Sequence, residues 1–235
     1  MKATSKSLLI FCVLAIIYLL GTLLNWQDAT FYLKPVLLIP LMIASLILTD
    51  FPNRKILFLA LVFSWVGDTF LLFVFRNGTF FIFGLIAFLI AHIFYVILFV
   101  KELKKAGGKF TFAKPGLFII ILYLAAFLWP LFPYLYDLKI PVIIYSLVIT
   151  SMLYTAYLLA PHLPKPSAVL LLSGAVSFVV SDSILGINKF YVTVPYGGSL
   201  IMVTYLYAQG ALVWACIKGS ATYNATETVY KTDMP

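Results

Sequence analysis

The sequence predicts an all-α integral membrane protein, a polytopic bundle of eight transmembrane helices. Hydrophobic residues make up 63% of the 235 residues and charged residues only 10%, and the mean hydropathy is +1.08. A soluble domain of this length needs more charge to cover its surface. Apolar stretches close to the ~20 residues that cross a bilayer recur from end to end. These stretches are continuous, without the roughly ten-residue alternating segments typical of a membrane β-barrel.

Short polar or charged breaks separate the first four helices. Helix 1, over residues 7–25, ends at the polar sequence NWQD, and helix 2, over 31–49, ends at DFPN. Helix 3, over 55–75, ends at RNG, and helix 4, over 79–100, ends in the basic run KELKKAGGK. Proline, glycine, asparagine and aspartate at these breaks favour turns over continued helix.

Similar polar, proline or glycine breaks separate the last four helices. Helix 5, over residues 115–136, ends before an aspartate, and helix 6, over 139–160, ends at PHLPKP. Helix 7, over 166–188, is followed by NKFYVTVPYGG, at whose glycines helix 8, over 198–217, begins. Residues 1–220 are therefore predicted to form one transmembrane domain. The polar residues 221–235 are predicted to form a disordered tail.

The distribution of basic residues predicts the orientation of the bundle. Twelve of the sixteen Lys and Arg residues lie on the side that carries both termini, and four lie on the other: Lys34, Arg76, Lys139 and Lys189. Because cytoplasmic loops are enriched in Lys and Arg, both termini are predicted to be cytoplasmic, in a multi-pass protein of a bacterial inner membrane. The net charge of +8 then reflects topology and attraction to anionic membrane lipids, and no nucleic-acid partner is expected.

Four ionisable residues lie within or near the apolar spans: Lys34, Asp68, His92 and Asp182. Asp68 lies eight residues before Arg76, and Asp182 lies seven before Lys189. Both carboxylates are therefore predicted about 11–12 Å below the outer ends of their helices. A charged side chain at bilayer depth costs at least a few kcal/mol. Two carboxylates at one depth favour a shared functional site over two separate structural hydrogen bonds.

Other polar residues are predicted near the same layer. Tyr205 and Gln209 reach it because helix 8 begins at the same outer surface. Lys34 is interpreted either as a lysine that extends to the lipid head groups or as a clamp for a substrate phosphate. His92 is interpreted either as a core histidine or as a polar wall of the cavity. No metal site is predicted, because one intramembrane histidine without cysteine partners falls short of a zinc ligand set.

Three serines recur every four residues along helix 7, at Ser173, Ser177 and Ser181. Small residues at this spacing are typical of a close helix–helix contact. The sequence has no G-x-S-x-G elbow, so serine hydrolysis is disfavoured.

Five motifs follow one another along helices 2 to 4 and 7 to 8: LKPVLLIPL, FSWVGDTFLL, FGLIAFLIAHIFY, SGAVSFVVSDSILG and TYLYAQGALV. In this order they resemble the YhhN-like membrane family, which includes the animal lysoplasmalogenases. The resemblance implies an alkenyl ether hydrolase that cleaves the vinyl ether of lysoplasmalogen into a fatty aldehyde and glycerophosphoethanolamine or glycerophosphocholine. It places the family's polar positions at Lys34, Asp68, His92, Asp182, Tyr205 and Gln209. Helices 5 and 6 match the family only in hydrophobicity.

The candidate residues suit this chemistry. Vinyl ether hydrolysis begins with protonation of the β-carbon and continues with capture of an oxocarbenium ion by water. Two close carboxylates in a poorly solvated site share one proton, so that the neutral one donates while the ionised one stabilises the cation and orients water. We therefore expect Asp68 and Asp182 to be catalytic and within roughly 8 Å of each other, with no metal or organic cofactor. We expect one cavity whose lysophospholipid substrate is contacted by Lys34, His92, Tyr205 and Gln209.

A second class of function uses the same residues. A proton-coupled transporter or a lipid-binding membrane protein could employ the Asp pair as a proton relay. Two features disfavour it: the carboxylates are predicted in one half of the bilayer, and few broken helices are indicated. The sequence gives no indication of the oligomeric state.

Overall fold

The computed structural model describes residues 2–47, 51–110 and 114–232, and every regular element within these ranges is helical. Eight segments are long and apolar enough to cross a membrane, which confirms a multi-pass helical protein. The α-helices in chain order are α1 Lys2–Leu23, α2 Gln27–Leu33, α3 Ile39–Ile47, α4 Arg54–Leu72, α5 Thr79–Lys105, α6 Lys114–Leu131, α7 Lys139–Leu159, α8 Lys165–Phe190 and α9 Gly197–Thr232.

The second span is broken, whereas the sequence predicted one helix over residues 31–49. It consists of α2, a 3₁₀ turn over Lys34–Val36, and α3. Pro35 explains the break, because proline lacks the backbone N–H and its ring clashes with the preceding turn of an α-helix. The indole N–H of Trp65 on α4 donates a 2.6 Å hydrogen bond to the Pro35 carbonyl. This bond satisfies a backbone group that the break releases inside the membrane. Residues 48–49 of the predicted helix lie outside the described residues.

Other helix ends differ from the predicted ones by a few residues. α4 ends at Leu72, and α5 continues to Lys105 through part of the basic run. α6 ends at Leu131, where Pro130 and Pro133 lead into a 3₁₀ turn over Phe132–Tyr134.

The helix α9 continues beyond its apolar span. The span covers Gly197–Gly219, and the backbone remains helical to Thr232. The division into a bundle over residues 1–220 and a disordered tail over 221–235 stays a prediction, and residues 233–235 lie outside the described residues.

The bundle is held by pairs of adjacent helices, α4 against α5 and α8 against α9, while α5 also packs on α7. The serine stripe of α8 lies in one of these contacts. Ser177 and Ser181 donate hydrogen bonds to the carbonyls of Thr204 and Ile201 on α9, at 2.9 and 3.0 Å. Ser173 shares a 2.8 Å hydrogen bond with the Tyr207 hydroxyl. The predicted close contact is confirmed.

The outside of the bundle is apolar, as a surface facing lipid chains requires. Large hydrophobic side chains such as Leu9, Phe118 and Trp129 are exposed around it. The helix α6 is the most peripheral of the spans: it contacts α7 and, more lightly, α8, and little of its span is buried. One side of the bundle interior is therefore covered by a loosely attached helix.

Candidate active site

Asp68 lies on the inner face of α4, with its side chain only 6% exposed. Its Oδ2 accepts a 2.6 Å hydrogen bond from the Tyr205 hydroxyl of α9. Its Oδ1 lies 3.9 Å from the Lys34 ammonium. Gly67 allows this close packing, because a Cβ at that position would come within 2.7 Å of the Phe88 ring on α5. A buried carboxylate with a cation and a hydroxyl donor is compensated electrostatically in its ionised form.

Lys34 occupies the 3₁₀ turn that breaks the second span, and not the first turn of a helix as the sequence predicted. The reason is that α2 begins at Gln27, so seven residues of the span precede Lys34. Its side chain is 13% exposed, and its ammonium is the one paired with Asp68. The break at Pro35 thus turns a cation toward the carboxylate.

Asp182 lies on α8 in different surroundings. Its Oδ2 accepts a short hydrogen bond from the Tyr145 hydroxyl of α7. The Nε2 of His92 lies 3.9 Å from the same oxygen. The Asp182 side chain is 11% exposed and lines a cavity of about 40 Å³ between α5, α6, α7 and α8. Tyr123 and Ser183, joined by a 2.6 Å hydrogen bond, line the same cavity.

His92 is completely buried and packs as an aromatic ring. Its ring lies edge-on to Phe178, at 4.6 Å between centroids, and edge-on to Tyr145, at 5.5 Å. By strict distance and angle neither ring nitrogen makes a hydrogen bond, but the Phe88 carbonyl one turn earlier is close enough to accept one from a ring N–H. These contacts support the interpretation of His92 as a core histidine that borders Asp182.

Gln209 belongs to the Asp68 side of the site. Its Oε1 accepts a 2.7 Å hydrogen bond from the Tyr95 hydroxyl. Its buried Nε2 has no hydrogen-bond partner in the structure and faces the Tyr205 hydroxyl. Gln209 therefore reaches Asp68 only through Tyr205, and it supports the site without touching the carboxylate.

Phe178 lies between the two carboxylate groups. Its ring is fully buried and lies edge-on to Tyr205, at 5.5 Å between centroids, and to His92. Asp68 and Asp182 are close enough to interact electrostatically. The expected separation of roughly 8 Å stays a prediction.

The equal depth of the two carboxylates stays a prediction, because their helices end at different distances from them. Asp68 is four residues from the end of α4 and Asp182 eight from the end of α8, which correspond to about 6 and 12 Å. The loop charges used to infer equal depth are therefore imperfect markers of helix ends.

The structure has two separate hollows, a small cavity and a wider cleft, where the sequence predicted one cavity. Asp182 lines the small cavity, and Lys34 lines a wider cleft of about 420 Å³ at the end of the bundle where α8 finishes and α9 begins. Leu71, Phe81 and Leu185 line both hollows and form the partition between them.

Sequence reasoning missed Tyr145 and Tyr123, which lie on the two spans whose sequences match the family only in hydrophobicity. The available signal was the dipeptide Tyr145-Ser146 within an otherwise aliphatic run. The described residues contain no group of three or more His, Cys, Asp or Glu side chains that could hold a metal ion. Independence from a cofactor stays a prediction.

Residues 29–216 match the model of the YhhN family. This chain belongs to the YhhN family. The matched region contains all six site residues named from the sequence. The human protein named lysoplasmalogenase TMEM86A is 31% identical over 205 residues, which cover 84% of this chain and 81% of that protein. The bovine protein of the same name is 27% identical over 216 residues, 88% of this chain and 85% of that protein. No solved structure matches this YhhN protein.

Proposed function

We propose that this YhhN protein is a lysoplasmalogenase-like membrane hydrolase. Its substrate would be a lysoplasmalogen-type lysophospholipid, cleaved at the vinyl ether to a fatty aldehyde and glycerophosphoethanolamine or glycerophosphocholine. The names of the human and bovine relatives support the substrate class. The asymmetric pair of carboxylates supports the chemistry: Asp68 has a lysine partner and Asp182 has a phenol.

The different partners give the two carboxylates different charge states. Asp68 is the ionised member, because Lys34 compensates its charge. Asp182 is the neutral member, because its partner Tyr145 carries no charge and the Asp68 carboxylate disfavours a second negative charge nearby. Asp182 is also the member that lines the small cavity. It is therefore the proton donor of the proposed mechanism.

In the first step the Asp182 carboxyl transfers its proton to the β-carbon of the vinyl ether. The carbon–carbon double bond supplies the electron pair, and an oxocarbenium ion forms next to the ether oxygen. The negative charge of Asp68 and the newly formed carboxylate of Asp182 stabilise this cation electrostatically. Tyr145 holds the Asp182 carboxyl in position through its hydrogen bond.

In the second step water adds to the oxocarbenium carbon. Asp182, now ionised, accepts a proton from that water as a general base, which restores its neutral form. The product is a hemiacetal, which collapses by breaking the bond to the glycerol oxygen while its hydroxyl proton passes to that oxygen. The aldehyde and the glycerophospho-alcohol leave, so atoms and protons balance with water as the only co-substrate.

Substrate binding must involve movement of side chains. A cavity of about 40 Å³ has room for only one or a few water molecules, and a fatty chain is much larger. Tyr123 and Phe127 of the peripheral helix α6 cover this cavity. We propose that the alkenyl chain displaces these α6 side chains to reach Asp182.

The deciding experiment measures aldehyde release from lysoplasmalogen by the purified protein in detergent. We expect turnover by the wild type, and its loss in both Asp68→Asn and Asp182→Asn. Asp137→Asn is the matched control, because Asp137 is exposed in the 3₁₀ turn Tyr136–Leu138 that precedes α7. Full activity in either of the first two variants, with the wild type active, would contradict the dyad mechanism.

The route of bond cleavage can be tested separately. In D₂O, protonation of the β-carbon should place one deuterium on the α-carbon of the aldehyde, which is trapped by immediate reduction to the alcohol. An aldehyde without deuterium would exclude carbon protonation while leaving the hydrolase activity intact.

A transporter or lipid-binding protein is the second candidate. The second span is broken, and the break places Lys34 beside Asp68. Discontinuous spans are typical of transporter binding sites. Proton-coupled lipid uptake into proteoliposomes without turnover would favour this candidate.

The cytoplasmic location of both termini and the bacterial inner membrane remain predictions. The two relatives reported above are mammalian.

A further inference from the structure

The wide cleft at the end of the bundle has the chemistry of an anion site. It is bounded by the ends of α1, α4 and α8 and the starts of α5 and α9. Its volume of about 420 Å³ lies within the range of small-molecule sites, roughly 300–1,000 Å³. Two lysines, Lys34 and Lys189, are among the described residues that line it, and no carboxylate is.

The two lysines are not equivalent. The ammonium of Lys34 is paired with Asp68 deep in the bundle, at 3.9 Å. Lys189, in the last turn of α8, is exposed at the cleft, where its ammonium lies 5.0 Å from the centre of the Phe81 ring. A cation–π contact leaves the N–H donors free to bind an anion. Among the contacts of the described residues, no carboxylate pairs with Lys189, whereas Lys34 is paired with Asp68.

Further donors surround Lys189. The carbonyl oxygen of the Asn188 side chain accepts a 2.9 Å hydrogen bond from the Val194 backbone N–H, which orients the rest of the amide as a donor. Gly198 and Ser199, in the first turn of α9, also line the cleft. A Cβ at Gly198 would meet no heavy atom within 4 Å. The positive end of the α9 dipole and its first N–H groups add to the attraction for an anion.

The cleft adjoins the cavity of Asp182. Phe81, whose ring carries Lys189 on its face, is one of the three partition residues that line both hollows. Consider an amphiphile whose anionic head lies in the cleft and whose apolar chain lies beyond the partition. The junction between its head and its chain would lie close to Asp182. A lysoplasmalogen-type lysophospholipid has its vinyl ether bond at that junction.

We propose that Lys189, supported by Asn188 and Ser199, binds the phosphodiester of the lysophospholipid head group. This proposal rests on the proposed function for the identity of the chain that follows the phosphate. It also assigns the phosphate-binding role to Lys189, whereas the sequence had suggested Lys34. The cleft selects lipids that carry a phosphate. A chain that crosses the partition residues then brings its vinyl ether next to Asp182.

The first test compares two substrates of the purified protein, 1-alkenyl-glycerophosphoethanolamine and the head-group-free 1-alkenylglycerol. Lys189→Gln should raise KM for the phosphorylated lipid about tenfold or more, as expected for loss of a charge-assisted hydrogen bond, and should thereby abolish the preference for that lipid over 1-alkenylglycerol. Lys139→Gln is the matched control. Its ammonium also lies over a phenylalanine ring, at 4.8 Å from the Phe132 centroid, but it does not line the cleft.

A loss of kcat alone, or a KM change no larger than that of Lys139→Gln, would overturn the proposal. An equal rise of KM for both lipids would also overturn it. Thermal melting of the variants separates binding from folding, because Lys189 in the last turn also stabilises the α8 dipole.

The second test does not depend on turnover. Binding of the non-hydrolysable 1-O-alkyl-glycerophosphoethanolamine is measured for wild type and Lys189→Gln, with 1-O-alkylglycerol and inorganic phosphate as competitors. Tight binding that is weakened tenfold in Lys189→Gln supports the head-group site, even if the wild type releases no aldehyde and the proposed activity fails. Competition by inorganic phosphate at the concentration of the lipid would overturn the assignment to a lipid head group. Undiminished lipid binding by Lys189→Gln would overturn the site.

Discussion

The two carboxylates of the candidate site, Asp68 on α4 and Asp182 on α8, lie in unlike environments. Asp68 accepts a hydrogen bond from Tyr205 and lies beside Lys34. Asp182 accepts a hydrogen bond from Tyr145 and lies beside His92, whose ring nitrogens make no hydrogen bond. Both carboxylates have a tyrosine donor, and they differ in whether a permanent cation is present.

The two environments favour different functions for the two carboxylates. A buried carboxylate with a lysine partner remains charged and depends on that partner for stability. A buried carboxylate with a phenol partner can hold a proton and deliver it. In the proposed mechanism Asp68 is the fixed negative charge and Asp182 the proton carrier, and the following predictions test that division.

The largest effect is expected on catalysis when Asp182 is changed to Asn. Removal of a general acid lowers kcat by about 10²–10⁴-fold, while the amide still accepts the Tyr145 hydrogen bond and preserves the fold. The measurement is aldehyde release together with a thermal melt. A variant that loses activity only because it unfolds would place Asp182 among structural residues, contrary to the division.

A large effect on stability is expected when Lys34 is changed to Met. The change leaves the Asp68 carboxylate buried without a cation and should cost about 3–5 kcal/mol of unfolding free energy. The double variant Lys34→Met/Asp68→Asn should recover most of this loss, because no unpaired charge remains. Denaturation in detergent measures both variants. Additive losses in the double variant would show that the two side chains do not form an energetic pair.

A smaller difference is expected between the two tyrosines. A hydrogen bond to a charged acceptor contributes about 1.5–3 kcal/mol and one to a neutral acceptor about 1 kcal/mol. Tyr205→Phe should therefore destabilise the protein more than Tyr145→Phe, whereas Tyr145→Phe should reduce kcat more. Equal stability losses would contradict a difference in charge between the two carboxylates, and the reverse order would indicate that Asp182 is the ionised member.

The smallest effect is expected from His92→Phe. The ring packs edge-on against Phe178 and Tyr145 and its nitrogens make no hydrogen bonds, so phenylalanine should preserve the packing and keep kcat/KM within about tenfold of wild type. A larger loss than this is typical of a group that takes part in proton transfer. Such a loss in the aldehyde-release assay would make His92 a participant in catalysis rather than a core histidine.

Much of the fold was accessible from the sequence because hydrophobic length is a strong constraint in a bilayer. Eight spans were predicted and eight are present within the described residues. The polar residues of the site were accessible for the same reason, since an ionisable side chain in an apolar span is costly and stands out. The serine stripe on α8 was visible as a four-residue spacing and is confirmed in contact with α9.

The sequence by itself thus determined the class of fold, the family motifs and the identity of the two carboxylates. Only the tertiary structure decided their partners, because Lys34 and Asp68, or Tyr145 and Asp182, are brought together from separate spans. The local signal at Tyr145 does not identify Asp182 as its partner, and the carbonyl freed by the break at Pro35 is bonded by Trp65 from another helix. Spacing along one helix reports that helix alone, whereas the charge state of a buried carboxylate depends on the side chains that neighbouring helices place around it.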